Sequence, residues 1–382
     1  MNIAFFTETY LPNTDGVVTS ILTTRRALEE MGHEVYIFCA GSRKAKKANQ
    51  DPKVFYHLST PFKPYPAYRI AVFPFLSERK VKKLGVEMVH THGMATMGLS
   101  AVQTARMHKL PLVGTFHTLI PKASHYVSKN KRIEAITQRI LWGYLKWYFC
   151  LCDVVIAPSP TIERELHNHG IRKTIVVPTG IDTERFCLGL DRNRIRKELG
   201  LEDKVMVLNI GRMVLEKNLD VLIKASLIIV EEIPDAHFVL AGSGPAFDYY
   251  RNLVRSMKLD GIFTFTGIIP SELVPYYYAA ADVFVFPSKF ETQGIVALES
   301  MGCGTPVAGA DYLAIKDLVK DGYNGYLFDP DDPEDCAEKV IRTIREREKL
   351  VNGARKTAED YSYKNCVAKL VKVYEDLLSK RQ

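Results

Sequence analysis

VMVLNIGRMVLEKNLDVL, residues 205–222, runs from an apolar stretch through a charged loop into a helical pattern. The strand ends at Gly211, Arg212 and Lys217 follow five residues apart, and the helix is expected to begin at about Asn218. A strand that feeds a helix in this way is the repeating unit of a doubly wound parallel sheet. Four further strands continue the rhythm downstream: HFVLAG (237–242), FTFTG (263–267), DVFVFPS (282–288) and PVAGA (306–310).

Upstream, the same alternation gives strands at 2–6, 34–40, 88–92, 112–116, 154–158 and 174–177. Between the two series lies PTGIDTERF (178–186), rich in turn residues, which reads as the linker. The last segment, 361–379, has apolar residues at 366, 367, 370, 371, 374, 377 and 378, one helical face that needs a partner surface. The basic stretch SRKAKKANQDPK (42–53) reads as an exposed loop. The expected architecture is therefore α/β, with two doubly wound domains facing a central crevice where the carboxyl ends of the strands meet. The domains are drawn at 1–178, completed by 361–382, and at 179–360.

Bulk properties narrow the class. A chain of 382 residues, 47% apolar and 25% charged, supports about two cores. No apolar run is long enough to span a membrane, and MNIAFF leads straight into strand-like sequence, so a cytoplasmic chain without a secretory leader is expected. Seven scattered cysteines, an odd number, read as reduced thiols. The net charge of +7 is uneven: residues 1–178 carry 24 Lys and Arg against 12 Asp and Glu, the remainder 27 against 32. The first half is thus suited to an anionic partner such as a membrane surface, although a solvated basic face explains the same count. No zinc ligands or nucleic-acid motif accompany the charge, so nucleic acid is not an expected partner.

Candidate chemistry lies in loops that follow strands. TETYLPNTDGVVTS (7–20) enters a helix through Gly16, which suits backbone approach to an anion and equally a simple turn. Arg212 and Lys217 together suit a diphosphate, and as isolated residue types they also read as solvated loop cations. AGSGPAFDYY (241–250) turns at Gly242 and Gly244. In PSKFETQGIVALESMGCGTPV (287–307), Glu291 sits at the mouth of a helix opened by Gly294, with Glu299 on the helix. Sugar hydroxyls, or a structural salt bridge, would satisfy that second carboxylate. GTFHTLIPKASHYV (114–127) places His117 at the end of a strand, with His125 and Tyr126 further along; a capped structural histidine is the plainer reading of His117. His90 and His92 in MVHTHG read as facing opposite sides of their strand, which discounts them as a metal pair. Residues 122–152 mix Lys122, Lys129, Lys131, Arg132, Arg139 and Lys146 with many apolar and aromatic residues, a pattern for a bilayer interface or for a helix packed on its own sheet.

Taken in order, these pieces resemble the glycosyltransferase family 4 group of GT-B enzymes over essentially the whole chain. The series comprises the Gly16 loop, THG at 91–93, His117 after a strand, PTGIDTERF, GRMVLEKN, AGSGP, FTGIIPSELVPYYYAAADVFVFPS and the glutamates flanking Gly294. The resemblance implies that Arg212 and Lys217 hold a donor diphosphate and that Glu299 binds the donor ribose. It also implies that Glu291 lies beside the transferred sugar with the Gly294 and Ile295 amides, and that His117 lies near the anomeric centre. Gly211, Gly242 and Gly244 would line the donor, and Gly16 the phosphate and acceptor side. It implies retention of configuration, no catalytic metal and no cofactor beyond the nucleotide sugar, and a final helix that returns to the first domain.

HTLIPKASHYV (117–127) and FETQG (290–294) are similar to segments of diacylglycerol glucosyltransferases, which implies a lipid acceptor with His125, Tyr126, Lys129, Lys131 and Arg132 on the acceptor and membrane side. The leading expectation is glucose transfer from UDP-glucose to diacylglycerol or a related lipid, by an enzyme at the inner face of the membrane. A GDP-mannose-dependent mannosyltransferase acting on phosphatidylinositol or a glycan is the nearest rival. A nucleotide-sugar epimerase and a non-catalytic sugar-nucleotide binding protein are alternatives of other classes. One departure stands out: many members have paired glycines in the first loop, where this chain has Asp15 before Gly16.

Overall fold

The computed structural model describes residues 1–13, 15–62, 65–72, 74–119 and 131–381. The chain forms two compact units, Met1–Gly180 with Tyr363–Gln382, and Ile181–Ser362.

The first unit holds an eight-stranded sheet: β1 (Asn2–Thr7), β2 (Glu34–Gly41), β3 (Val54–Phe62), β4 (Tyr65–Ala71), β5 (Met88–Thr91), β6 (Leu112–Thr115), β7 (Val154–Ala157) and β8 (Thr174–Val176). Their spatial order is β4-β3-β2-β1-β5-β6-β7-β8. Every pairing is parallel except β3 with β4. The helices are α1 (Gly16–Glu30), α2 (Arg43–Ala48), α3 (Ser77–Lys83), α4 (Thr96–His108), α5 (Lys131–Phe149) and α6 (Pro160–Asn168). In β1 every residue after Asn2 is buried, as a strand covered on both faces requires. The sheet reverses its winding between β1 and β5, the switch point at which open α/β sheets place ligands.

The second unit holds β9 (Val205–Ile210), β10 (Ala236–Ala241), β11 (Phe263–Gly267), β12 (Val283–Phe286), β13 (Val307–Ala310) and β14 (Gly325–Phe328). They form one parallel sheet in the order β11-β10-β9-β12-β13-β14, with its switch point between β9 and β12. Around it lie α7 (Asn193–Leu199), α8 (Leu219–Glu232), α9 (Phe247–Ser256), α10 (Val274–Ala280), α11 (Ile295–Gly302), α12 (Ile315–Leu318), α13 (Pro333–Arg345) and α14 (Arg347–Asp360).

The last helix, α15 (Tyr363–Ser379), belongs to the first unit. Its residues Tyr363, Val367, Leu370, Val373 and Tyr374 share a core with Ile21, Ala27 and Leu28 of α1. The apolar face legible in the sequence thus finds its partner.

Three strands escape the sequence reading. β3 and β4 carry Pro61 and Pro66, which blur the strand pattern, and β14 is four residues long and opens on a glycine. The expected loop at 42–53 is corrected: Ser42 accepts a hydrogen bond from the Ala45 amide at 3.0 Å and starts α2, although that helix is exposed.

A buried ion pair ties α7 and α10 to the second sheet. Arg196, 8% exposed, donates to the carbonyls of Ala280 (2.9 Å) and Lys204 (2.7 Å) and to Asp282 (2.6 Å). Asp282 also accepts from the Met206 amide at 2.8 Å and from Arg192 at 2.8 Å. Removing one partner of such a pair strands the other. Arg196→Leu is therefore expected to cost ~3 kcal/mol, read as a lower urea midpoint for the second unit. An unchanged midpoint would show that Arg192 alone satisfies Asp282.

Candidate functional site

In the second unit the loops leaving β9 and β12 meet at the switch point. Lys217, on the first loop, forms an ion pair with Glu291, on the second. The Lys217 ammonium also lies 5.5 Å from the centroid of the Phe286 ring, which favours a cation on its face. The Lys289 amide donates to the Glu216 carbonyl at 2.9 Å and so stitches the two loops together. Asn218 adopts left-handed backbone (φ +53°) and donates to the carbonyls of Pro287 (3.3 Å) and Pro330 (2.7 Å). Arg212 is exposed on the same loop.

The glycines of this region divide by function. A Cβ on Gly242 (φ +135°) would lie 1.9 Å from the Gly211 carbonyl oxygen, and one on Gly244 would lie 2.3 Å from that of Met213. Two bonds in the same direction, from the Gly211 amide to the Ala241 carbonyl at 2.9 Å and from the Met213 amide to the Ser243 carbonyl at 3.0 Å, enforce the approach. The close contact that these two glycines permit is therefore with protein backbone. Gly211 is less constrained, since its added Cβ would touch only the Lys217 side chain at 3.8 Å. Gly294 (φ +91°) precedes α11, which opens at Ile295 without a side-chain cap. Glu299, half-buried on α11, accepts from the Tyr278 hydroxyl at 3.0 Å. Burial pushes its carboxyl up to about 7, against the opposing pull of Tyr278 and Arg185.

In the first unit His117 follows β6, and its Nε2 lies 2.9 Å from Nδ1 of His92. Their rings stack at 5.2 Å, and the His92 ring stacks on that of His90 at 4.2 Å. His90 and His92 thus share one face, which corrects the expectation of opposite faces: residues two apart on a strand point the same way. Burial pushes His117 down to about 4 and His90 to about 3. It also holds His92 well below the ordinary histidine value, so all three are neutral at neutral pH.

Glu8, buried directly after β1, accepts from the amides of Ala95, Met97 and Gly98, each at 3.0 Å, and thereby caps α4. Asp15 caps α1: one oxygen accepts from the Val18 amide at 2.9 Å and the other from the Thr9 hydroxyl at 3.1 Å. A phosphate at the Gly16 turn would face that carboxylate. Glu8, Asn218 and Tyr278 were not singled out in the sequence. A glutamate one residue beyond a buried strand was the available signal for the first of them.

Lys131 and Arg132 lie exposed in the first turn of α5. His125, Tyr126 and Lys129 fall outside the described residues. Among the described residues no group of three or more His, Cys, Asp or Glu side chains is placed to hold a metal ion.

Residues 14–185 match the profile of Glycosyltransferase Family 4, and residues 191–360 that of Glycosyl transferases group 1. An alpha-monoglucosyldiacylglycerol synthase from Streptococcus pneumoniae is 30% identical over 86% of this chain and 75% of its own length. The chain belongs to glycosyltransferase family 4. An alpha-monoglucosyldiacylglycerol synthase from Acholeplasma laidlawii is 28% identical to this glycosyltransferase over 94% of the chain and 92% of its own. A GDP-mannose-dependent alpha-mannosyltransferase from Corynebacterium glutamicum is 25% identical over 100% and 90%. Anabaena HepE, crystallised in complex with UDP, superposes with a TM-score of 0.78 over 98% of this chain and 100% of that one, at 18% identity. The fold of the glycosyltransferase is GT-B.

The packing of Gly242 gives a direct test of how this loop is built. Gly242→Ala is expected to destabilise the glycosyltransferase by ~2 kcal/mol or more, measured by urea unfolding, because backbone must move. A stable variant would show that the 211–214 loop yields at little cost.

Proposed function

We propose that this glycosyltransferase is a retaining hexosyltransferase that moves glucose from UDP-glucose to a membrane lipid such as diacylglycerol, without a catalytic metal. The observation that carries the acceptor side is the outer face of α5. Ile133 (47% exposed), Ile136 (60%), Ile140 (66%), Tyr144 (36%) and Trp147 (52%) recur at three- and four-residue steps and so form one stripe. Arg132, Arg139 and Lys146, seven residues apart, run along one flank of it. An apolar stripe with cations beside it suits a bilayer interface with anionic lipid. No described helix is long and apolar enough to cross a membrane, so the contact proposed is peripheral, at the cytoplasmic face. The names of the two synthases point the same way.

On the donor side, Lys217 with Arg212 would neutralise the departing diphosphate, the work a metal does elsewhere. The N-cap residues of α8 and α11, Asn218 and Gly294, make no side-chain cap, and the first-turn amides of α11 in particular are suited to phosphate oxygens. Gly211, Gly242, Gly244, Gly294 and Ile295 would shape that donor pocket. Glu299, once ionised, would accept the ribose hydroxyls, and Glu291 would hold the sugar as Lys217 turns to the diphosphate. His117 would sit beside the anomeric carbon, and Gly16 beside the acceptor, where Asp15 favours hydroxyls over phosphate. The bond from the anomeric carbon to the diphosphate oxygen breaks as the acceptor hydroxyl oxygen bonds on the same face. The hydroxyl proton passes to the departing phosphate oxygen. The mannosyltransferase relative keeps GDP-mannose as the second reading of the donor.

Incubation with UDP-glucose and diacylglycerol in mixed micelles, with products read by mass spectrometry, tests this reading. Lys217→Ala and Glu291→Ala are each expected to lower kcat by about 10²-fold or more while the fold survives. Turnover of GDP-mannose with UDP-glucose inert would overturn the donor assignment. In flotation with vesicles containing anionic phospholipid, the wild-type chain is expected to rise with the lipid. A triple variant, Ile136→Ser, Ile140→Ser and Trp147→Ser, is expected to stay behind; its unimpaired flotation would remove α5 from the interface.

A further inference from the structure

His92 is buried at 6% exposure and pairs with His117 through one nitrogen only, since its Nε2 is buried with no hydrogen-bond partner among the described residues. Each neutral imidazole carries one N–H, so the 2.9 Å contact has two arrangements. If His117 donated through Nε2, His92 would carry its own proton on Nε2, a buried donor without an acceptor. If His92 donates through Nδ1, the unpartnered Nε2 is only a lone pair. Orphaned buried N–H groups are the rarer and more costly outcome.

We propose that His92 is a positioning residue, donating its Nδ1–H to Nε2 of His117 and thereby fixing His117 as the Nδ1–H tautomer. His117 then presents Nδ1 as a hydrogen-bond donor and keeps no proton on the nitrogen that faces His92. The role of His92 in transfer rests on the reading that His117 lies beside the anomeric carbon; the tautomer itself does not.

The surroundings hold His92 firmly enough for this task. Phe5 packs against its ring at 4.6 Å and His90 at 4.2 Å. His90 is itself locked between the Tyr374 hydroxyl at 2.5 Å and the Thr115 hydroxyl at 2.6 Å. The loop after His92 is clamped as well. The Gly93 carbonyl accepts from Thr91 (2.7 Å) and Tyr148 (2.8 Å), and a Cβ on Gly93 would lie 1.4 Å from the Glu8 carboxylate.

The test uses full-length protein labelled with 15N at histidine nitrogen, with His92 and His117 assigned through His92→Asn and His117→Asn. Long-range 15N–1H correlation spectra at neutral pH are expected to show both as Nδ1–H tautomers. His117 found as Nε2–H in the wild-type spectrum would overturn the proposal, whatever the stability of any variant. Asparagine places an N–H near the Nδ1 position, so His92→Asn is expected to keep the His117 tautomer and to keep kcat within about threefold. His92→Phe removes the donor and is expected to lower kcat by about tenfold or more at nearly unchanged donor KM. Equal kcat in His92→Phe and wild type would deny His92 its part in transfer. A fully active His117→Ala would instead overturn the placement of His117 and leave the tautomer standing.

Discussion

A parallel strand in the middle of an open sheet is covered on both faces, and every side chain along it must be apolar or fully satisfied. β1 and β12 obey this without relief, being buried from end to end apart from Asn2. Polar chemistry is thereby driven off the strands and into the loops at their carboxyl ends, and most strongly to the point where the winding reverses. Lys217 and Glu291 stand at that point in the second unit, and Glu8 and His92 stand at it in the first. The placement of these residues follows from coverage of the sheet before any argument about chemistry begins.

The two switch points are electrostatically different. In the first unit the helix starts are filled by the chain's own carboxylates, Glu8 on α4 and Asp15 on α1, and the histidines beside them are held neutral by burial. That environment favours neutral hydrogen bonding and disfavours a second anion. In the second unit the N-cap residues of α8 and α11, Asn218 and Gly294, make no side-chain cap, and Arg212 and Lys217 precede α8. A diphosphate bound as proposed would meet amides and cations there, with Glu291 the one carboxylate among the described residues in an ion pair with Lys217. On the proposed reading, an anionic donor suits the second switch point and a hydroxyl acceptor the first.

The strand ends and the helices after them were legible because their patterns are local: the 205–222 stretch reads as a strand, a loop and a helix, and forms them. The apolar stripe of α15 was legible for the same reason. β3 and the edge strand β4 were not, because prolines at 61 and 66 break the composition signal; Pro66 is tolerated on the edge strand, and Pro61 lies beyond the stretch of β3 that pairs with β2. The roles of Gly242 and Gly244 were only half visible. Sequence shows that backbone comes close at such positions, and only the fold shows that the approaching backbone is that of Gly211 and Met213. Glu8 illustrates the deeper limit: its three amide partners lie 87 to 90 residues away, a separation that no local pattern encodes.

Helix α5 joins two demands that compete for one surface. Its buried side chains, Leu145, Tyr148 and Phe149, all lie in its last turns, where Tyr148 reaches the Gly93 carbonyl and Tyr144 that of Met94. The preceding turns pack more loosely, through half-buried Leu141 and Trp142, the latter stacked on His169 at 3.6 Å, and leave Ile133, Ile136 and Ile140 exposed. A helix anchored at one end and apolar along its free face is explained if that face meets another apolar phase. Its anchor grips the loop that carries His92, so the proposed lipid-facing surface and the histidine stack share one rigid element. An acceptor delivered along α5 would arrive beside that stack without leaving the bilayer surface.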